Sequence, residues 1–551
     1  MNKNILIILI VLGSFYAVDA QDTTDSNLDR TFQIIVDLEN QLDSASRNFS
    51  GISEPPREVQ TVPQEYAPRN FEIELNKVNP KIPVYGISPK PLPDILGNYV
   101  KAGFGNYVTP YLEAFVNSKR NKQMKYGLYY KHLSSANGPV DKKNSGIGHN
   151  RLRGYGDYFY KDYKLSADLD YNRYAHRYYG YSDTLTDIPE LDSIRRNFNS
   201  FKGTLGLNNF QTDGDLRVNA DVIYQFIGDN RESSESEFVF KGRGNYELAE
   251  SSNIYLDTRI SLSSKNDSSS NLGRSFLWFK PHYRFKKGRV FIDAGVNSVI
   301  ENDTLRGTNS FHLYPSVLLD VILSYPPGFR LYAGLDGNME RNTWRSMVME
   351  NPYLIWGAPV FNSNNTLTIY GGAKSTILKN FTFDASVAFS SYENMYFYVN
   401  STIDPSQYTV VYDTGTTTQV KFKTELMYTK NKHIKAGLKI EANDYNTSTI
   451  SAAYHRPSFK SSLLAGYNHN EKIYVDIDFF FISGITARDP ENLQDITLDP
   501  IVDLNLKGEY KFNEKASVFA EANNLISKEY QRYLYYPSKG INFLLGLTYA
   551  F

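Results

Sequence analysis

From Asn98 onward the chain alternates apolar and polar residues with a period of two. Tyr163, Leu165, Ala167, Leu169 and Tyr171 share one face, and Lys164, Ser166, Asp168 and Asp170 share the other. Ile254, Leu256, Ile260 and Leu262 oppose Tyr255, Asp257, Arg259 and Ser261. The same holds for Ile473, Val475, Ile477 and Phe479 against Tyr474, Asp476 and Asp478. It holds again for Val502, Leu504, Leu506 and Tyr510 against Asp503, Asn505, Lys507 and Glu509. Successive side chains of a strand point to opposite sides, so each segment predicts a strand with one apolar and one charged wall. A soluble sandwich shows such alternation in some strands. Its repetition with charges on the polar side points to a lipid-facing barrel with a hydrated interior.

Loop lengths sharpen this expectation. Short turns fall near 119–122, 160–162, 211–214, 249–251, 286–288, 325–328, 378–380, 430–432, 469–471 and 512–514. Longer connections lie between them near 134–148, 179–195, 227–233, 264–271, 301–309, 342–363, 392–415, 445–453, 484–498 and 525–540. Bacterial barrels have short periplasmic turns and long outer loops, so the alternation predicts orientation as well as fold. With a tight first hairpin around Gly105–Pro110, it predicts a closed, all-β antiparallel barrel over residues 97–551. The expected count is roughly 22 strands, with both termini periplasmic.

The N-terminal part reads differently. Lys3, the apolar run Ile5 to Leu12 and the small-residue site Val18-Asp19-Ala20 predict a signal peptide over 1–20, cut before Gln21. After it no run of about 18 apolar residues occurs, so no helical membrane span is expected. Residues 21–96 are expected to form a periplasmic segment. It starts with a short amphipathic helix carrying Ile34, Ile35, Leu38 and Leu42, then continues as a strap with nine prolines between Pro55 and Pro93. Phe71, Ile73, Leu75 and Val78 give this strap apolar anchors. Because a barrel of this size needs a seal, the strap is expected to reach at least the periplasmic mouth of the lumen. The aromatic loop at 342–363 is the other candidate seal, and a solvated linker to a partner is the alternative for the strap.

Composition fits this picture. The 551 residues include 43 Tyr, 33 Phe and 3 Trp, yet the mean hydropathy is only -0.44. Apolar residues are therefore spread among polar ones, as strands between lipid and a wet lumen require. The absence of Cys rules out disulfides, thiolate metal sites and a lipid anchor on a mature N-terminal Cys. With 59 basic and 60 acidic residues, nothing points to nucleic acid as a partner.

The C-terminal strand carries the most specific motif. Ile541, Phe543, Leu545, Leu547, Tyr549 and the terminal Phe551 share one face. An amphipathic strand ending on an aromatic residue is the expected signal for the outer-membrane assembly machinery, read at Phe543, Leu545, Leu547, Tyr549 and Phe551. Together with Ala522-Asn523-Asn524-Leu525, Tyr530, Tyr536-Pro537 and Gly540, this strand resembles the end of TonB-dependent receptor barrels. Asn98-Tyr99-Val100-Lys101-Ala102-Gly103-Phe104-Gly105-Asn106-Tyr107, followed by Thr109-Pro110-Tyr111, resembles the first hairpin of a plugless subgroup common in Bacteroidota. Lys131-His132-Leu133-Ser134-Ser135 is similar to that subgroup too. The resemblance implies an outer-membrane receptor barrel. Members of the wider family fill it with an N-terminal plug of well over a hundred residues, preceded by an energy-coupling box. Residues 21–96 are too few and too Pro-rich for such a plug. Glu58-Val59-Gln60-Thr61-Val62 faintly resembles the box, but an extended tether would carry the same residues.

No catalytic constellation stands out. The eight His form no metal-binding pair four residues apart, and there is no Ser elbow or Gly-rich phosphate loop. Asp168 with Asp170, and Asp476 with Asp478, suit the binding of a cation or, more simply, a polar lumen wall. No enzyme activity, cofactor or metal is expected. The candidate ligand or partner loop runs from Asn342 to Ser363. It contains Trp344, Tyr353 and Trp356, whose rings suit stacking on a ligand, anchoring a protein, or packing as a lumen constriction. Two functions follow: a pore or receptor-type transporter for a hydrophilic solute, or a scaffold binding a periplasmic or cell-surface protein. The surrounding partner is outer-membrane lipid in both.

Overall fold

The computed structural model describes residues 96–551 except 120, 182–187, 210–215, 269–270, 304–307, 325–327, 378–379 and 432. The expected signal peptide, the amphipathic helix, the Pro-rich strap and the coupling-box resemblance lie outside the described residues.

Period-two segments become 22 antiparallel strands in one sheet. The wall begins with Tyr99–Gly105 and Thr109–Asn117 and ends with Ala516–Asn523 and Asn542–Ala550. The last strand pairs with the first in continuous register from Tyr99↔Ala550 to Gly105↔Leu544, so the sheet closes on itself. Closure is what lipid demands, since an open strand edge in hydrocarbon leaves backbone groups unsatisfied at several kcal/mol each. At the outer end of the seam Asn106 Nδ2 donates to the Ile541 carbonyl at 2.8 Å, and its Oδ1 accepts the Phe543 N–H at 2.9 Å.

Alternation decides which wall faces what. Leu165, Leu169 and Tyr171 are exposed on the outside, as are Ile254, Leu256 and Leu262. Leu205 and Leu547 are 64% and 62% exposed, which in water would be costly but in a bilayer is the lipid contact itself. The opposite faces point inward and pair charges across neighbouring strands. Arg151 meets Asp170 at 2.8 Å and Arg153 meets Asp168 at 2.7 Å. Arg330 holds Asp320 at 2.8 Å, and Lys460 lies 3.3 Å from Glu441. The Asp168/Asp170 pair is thus part of a zipper of arginine–aspartate bonds along the wall.

Four expected connections are corrected. Those near 227–233, 264–271 and 301–309 are short, since strands ending at Asp229, Asn266 and Asp303 are followed after four residues by strands starting at Ser234, Asn271 and Thr308. Residues 392–415 are not a long loop: the strands Phe381–Asn400 and Tyr408–Lys430 run almost to a tight turn at 401–407. The pattern hides them for two reasons. Asn394, at φ 54°, inserts a bulge that flips the alternation. Beyond it Phe397, Tyr398, Val399, Tyr408 and Val410 are all buried, so this part has no polar face to read. Two outer loops also form small hairpins of their own, Ile485–Arg488 with Asp495–Leu498 and Gln531–Tyr533 with Tyr536–Pro537.

Candidate functional site at the extracellular mouth

The aromatic loop leaves the wall after Glu340 and rejoins it at Ser363, two residues that face each other across the ladder. Between them a short helix, Trp344–Glu350, starts at a capping box. The Thr343 hydroxyl accepts the Ser346 N–H, and the Ser346 hydroxyl accepts the Thr343 N–H. The sequence signal for this helix was available in Thr343-Trp-Arg-Ser346 but was obscured by the surrounding aromatics.

This loop folds inward to the wall. The first helical N–H groups have no partner within the helix; here Trp344 N–H donates to Glu235 Oε2 at 2.7 Å and Arg345 N–H to Glu235 Oε1 at 3.4 Å. Glu235 sits on the inward face of the strand Ser234–Ala249, as does Glu237, which is ion-paired with Arg341. Further along, Arg196 Nη1 donates to the Leu354 carbonyl at 2.6 Å, while its Nη2 lies 2.9 Å from Asp229, with both side chains fully buried. Lys265 Nζ donates to the Ala358 carbonyl at 3.1 Å, and Arg274 Nη1 donates to the Asn342 carbonyl at 2.6 Å.

The loop also meets other outer loops. The Tyr353 ring stacks on Tyr536 with centroids 3.5 Å apart, and Tyr179 packs edge-on to Tyr353 at 6.0 Å and to Tyr536 at 4.8 Å. Tyr533 and Tyr408 are 5.5 Å apart, and the Tyr408 hydroxyl donates to the Leu534 carbonyl at 2.9 Å. Tyr408 also exchanges backbone bonds with the loop: its N–H donates to Tyr353 O at 2.9 Å, and its carbonyl accepts Ile355 N–H at 2.7 Å. Tyr179, Tyr353 and Tyr536 belong to connections that follow the fifth, thirteenth and twenty-first strands of the wall. Loops rooted that far apart around the circumference touch only by leaning over the lumen. The result is an aromatic hub across the outer mouth, with Phe198, Ile227, Trp344, Met347, Leu354 and Tyr398 as its buried core.

Of the three ring residues singled out in the sequence, Trp344 is 0% exposed and anchors the hub, whereas Tyr353 and Trp356 are half-buried. Burial pushes the Tyr353 and Tyr536 phenols well above the usual tyrosine range, so both are neutral hydroxyls. His455 joins the hub beside Tyr408 (5.3 Å) and Tyr533 (5.4 Å). Burial and the neighbouring Arg532 charge push its imidazole down to about 3, so it too is neutral. Sequence reasoning missed His455, Tyr179, Tyr408 and Tyr536, because nothing local marks which of the chain's many tyrosines converge. The expected assembly residues Phe543, Leu545, Leu547, Tyr549 and Phe551 line the lipid face of the closing strand, all exposed, with Tyr549 and Phe551 stacked at 6.1 Å.

No protein-family model matches this sequence, and no curated protein matches it. Solved structures do match in fold. The FrpB iron transporter from Neisseria meningitidis aligns with a TM-score of 0.66 at 10% identity, over 83% of this chain and 81% of that one. The ferric-catecholate import receptor Fiu from E. coli K12 aligns with a TM-score of 0.62 at 10% identity, over 84% and 82%. The pyoverdine outer-membrane receptor FpvA from Pseudomonas aeruginosa PAO1 aligns with a TM-score of 0.62 at 11% identity, over 82% and 80%. With its apolar belt, charged lumen and seam-closed wall of 22 strands, this chain is an outer-membrane β-barrel with the fold of the TonB-dependent receptor barrels.

Proposed function

We propose that this barrel is a receptor-type transporter for a hydrophilic solute, and that solute is first met at the aromatic hub through Tyr353 and Trp356. The observation that carries this reading is the lumen wall. Its inward charges are matched strand to strand, so the interior stays hydrated while the outside stays apolar. Ring faces beside neutral hydroxyls offer a solute both stacking and hydrogen bonds. The fold relatives support a receptor rather than an enzyme. The test is uptake. A strain lacking this protein is compared with the complemented strain across a panel of labelled hydrophilic solutes. Loss of uptake of at least one solute, restored by the wild type and reduced by Tyr353→Ala with Trp356→Ala, is expected. Unchanged uptake across the panel refutes the reading.

A scaffold role has one observation in its favour. Ile403, at the tip of the long hairpin, is 92% exposed, and Leu493 protrudes from the tip of the 489–494 turn. Apolar tips on outer loops suit a protein partner better than a small solute. A tagged copy that purifies with a stoichiometric partner, lost on Ile403→Asp, would favour this role; purification alone would count against it.

A further inference from the structure

The segment 341–362 has an unusual balance of contacts. Its apolar residues pack largely against one another and the hub, so it carries much of its own small core. Its attachments to the far wall are mostly polar, beside one apolar patch where Trp344 meets Phe198 with ring centroids 6.1 Å apart and Ile227 joins the same cluster. Carboxylates of Glu235 and Glu237 take the Trp344 and Arg345 N–H groups and the Arg341 guanidinium; Arg345 also donates to Gln225. Arg196, Lys265 and Arg274 hold the carbonyls of Leu354, Ala358 and Asn342. Every one of these wall groups sits on an inward face that is hydrated elsewhere in the barrel. Water can therefore take over each of these bonds as the segment leaves, so that only the Phe198 and Ile227 patch exposes apolar surface on opening. The two stems are paired to each other at Glu340↔Ser363 and Met339↔Asn364, giving the segment a fixed root.

From this geometry we infer that residues 341–362 form a lid that shuts the extracellular mouth and is latched to the lumen wall through Glu235 and Glu237. The latch is the part of the contact nearest the root. Glu237 gathers Arg341 together with Ser261 and Gln225, and Glu235 caps the start of the lid helix, so the two carboxylates fix the angle at which the lid enters. The hub rings of Tyr179, Tyr408 and Tyr536 then close over its far end. The lid deepens the transporter reading, since a path needs a door, but its test reads ion flow and not solute.

Full-length protein is inserted into planar bilayers, and folding of each variant is checked by heat-modifiable gel migration. Wild type is expected to be nearly silent. Replacing residues 344–360 with a short Gly–Ser linker should raise steady conductance by about tenfold or more, as expected for an unsealed lumen of this strand number. Glu237→Gln and Arg341→Ala should produce frequent openings, and Arg341→Lys should restore closure; these point variants carry the test if the linker variant does not fold. A wild type that conducts at the linker variant's level overturns the inference. So do folded linker or latch variants as silent as the wild type. Lid variants that open while no solute is taken up refute the transporter reading alone, and the reverse result refutes the lid alone.

Discussion

The seam that closes the barrel carries one row of side chains that can be perturbed singly. Phe519, Gly546, Gly103 and Tyr111 lie opposite one another across the four strands at the seam, all on the inward face. The two glycines leave a trough that the Phe519 ring fills. It is 1% exposed, with Tyr111 edge-on at 6.1 Å and the Lys101 ammonium 3.9 Å above it. Truncating a buried Phe to Ala costs ~3–5 kcal/mol. Because this ring borders a wet lumen, Phe519→Ala is expected to lose about 3 kcal/mol, a figure that already contains the edge contact and the cation–π attraction. Gly546→Ala should cost about 2–3 kcal/mol by overpacking, since a Cβ there would collide with both the Phe519 ring and the Ala102 carbonyl. A Cβ at Gly103 would sit 2.9 Å from Leu545 O and 3.0 Å from Phe519 Cζ. Removing the ring should therefore relieve Gly103→Ala in part, with a coupling of about 1 kcal/mol. It should not rescue Gly546→Ala, whose backbone collision remains. Urea unfolding in lipid vesicles, followed by the gel shift between folded and unfolded barrel, measures the three single variants and the two doubles. A Phe519→Ala barrel within 1 kcal/mol of wild type, or a Gly103/Phe519 cycle with no coupling, would refute the argument that this row clamps the seam.

His455 makes the outer loops acid-sensitive. Its folded value of about 3 lies below the ordinary imidazole range, so the unfolded loop binds more protons between roughly pH 3 and 6.5, and stability falls as pH drops through that window. Proteolysis of the outer loops should accelerate over this range in wild type and stay flat in His455→Phe; parallel curves would remove His455 as the cause. Burial beside the Tyr107 ring lowers the Lys539 amine to about 8. Lys539 should thus be acylated near pH 8 faster than Lys143, as read by mass spectrometry, and equal labelling would contradict it. Breaking the buried Arg196–Asp229 pair with Arg196→Ala strands a carboxylate and should cost ~3–5 kcal/mol, freeing Leu354 from the wall; a thermal melt unchanged from wild type would argue against this anchor. The terminal Phe551 N–H donates to the Asn98 carbonyl at 2.9 Å and its ring faces lipid. Phe551→Ser is expected to lower the fraction of protein recovered assembled in outer membranes, and full recovery would refute its role as an assembly signal.

The wall was legible in the sequence because a strand between lipid and water has no freedom of pattern. Leu165, Ser166, Ala167 and Asp168 must alternate, in strand after strand. From that alternation and its breaks came the strand number and the lipid face of the terminal strand. The hairpin beyond Asn394 escaped because a bulge and burial on both faces erased the alternation there. The hub lay beyond the reach of any local pattern. Tyr179, Tyr353, Tyr408 and Tyr536 are separated by up to 357 positions in the chain, and only the curvature of a closed sheet brings their loops over one axis. The same holds for Glu235 and Glu237, which in sequence are ordinary inward-facing charges of one strand. They become a latch only because the loop after the thirteenth strand crosses the lumen to reach them. Alternation is a property of neighbours along the chain, whereas convergence is a property of closure, and closure exists only in three dimensions.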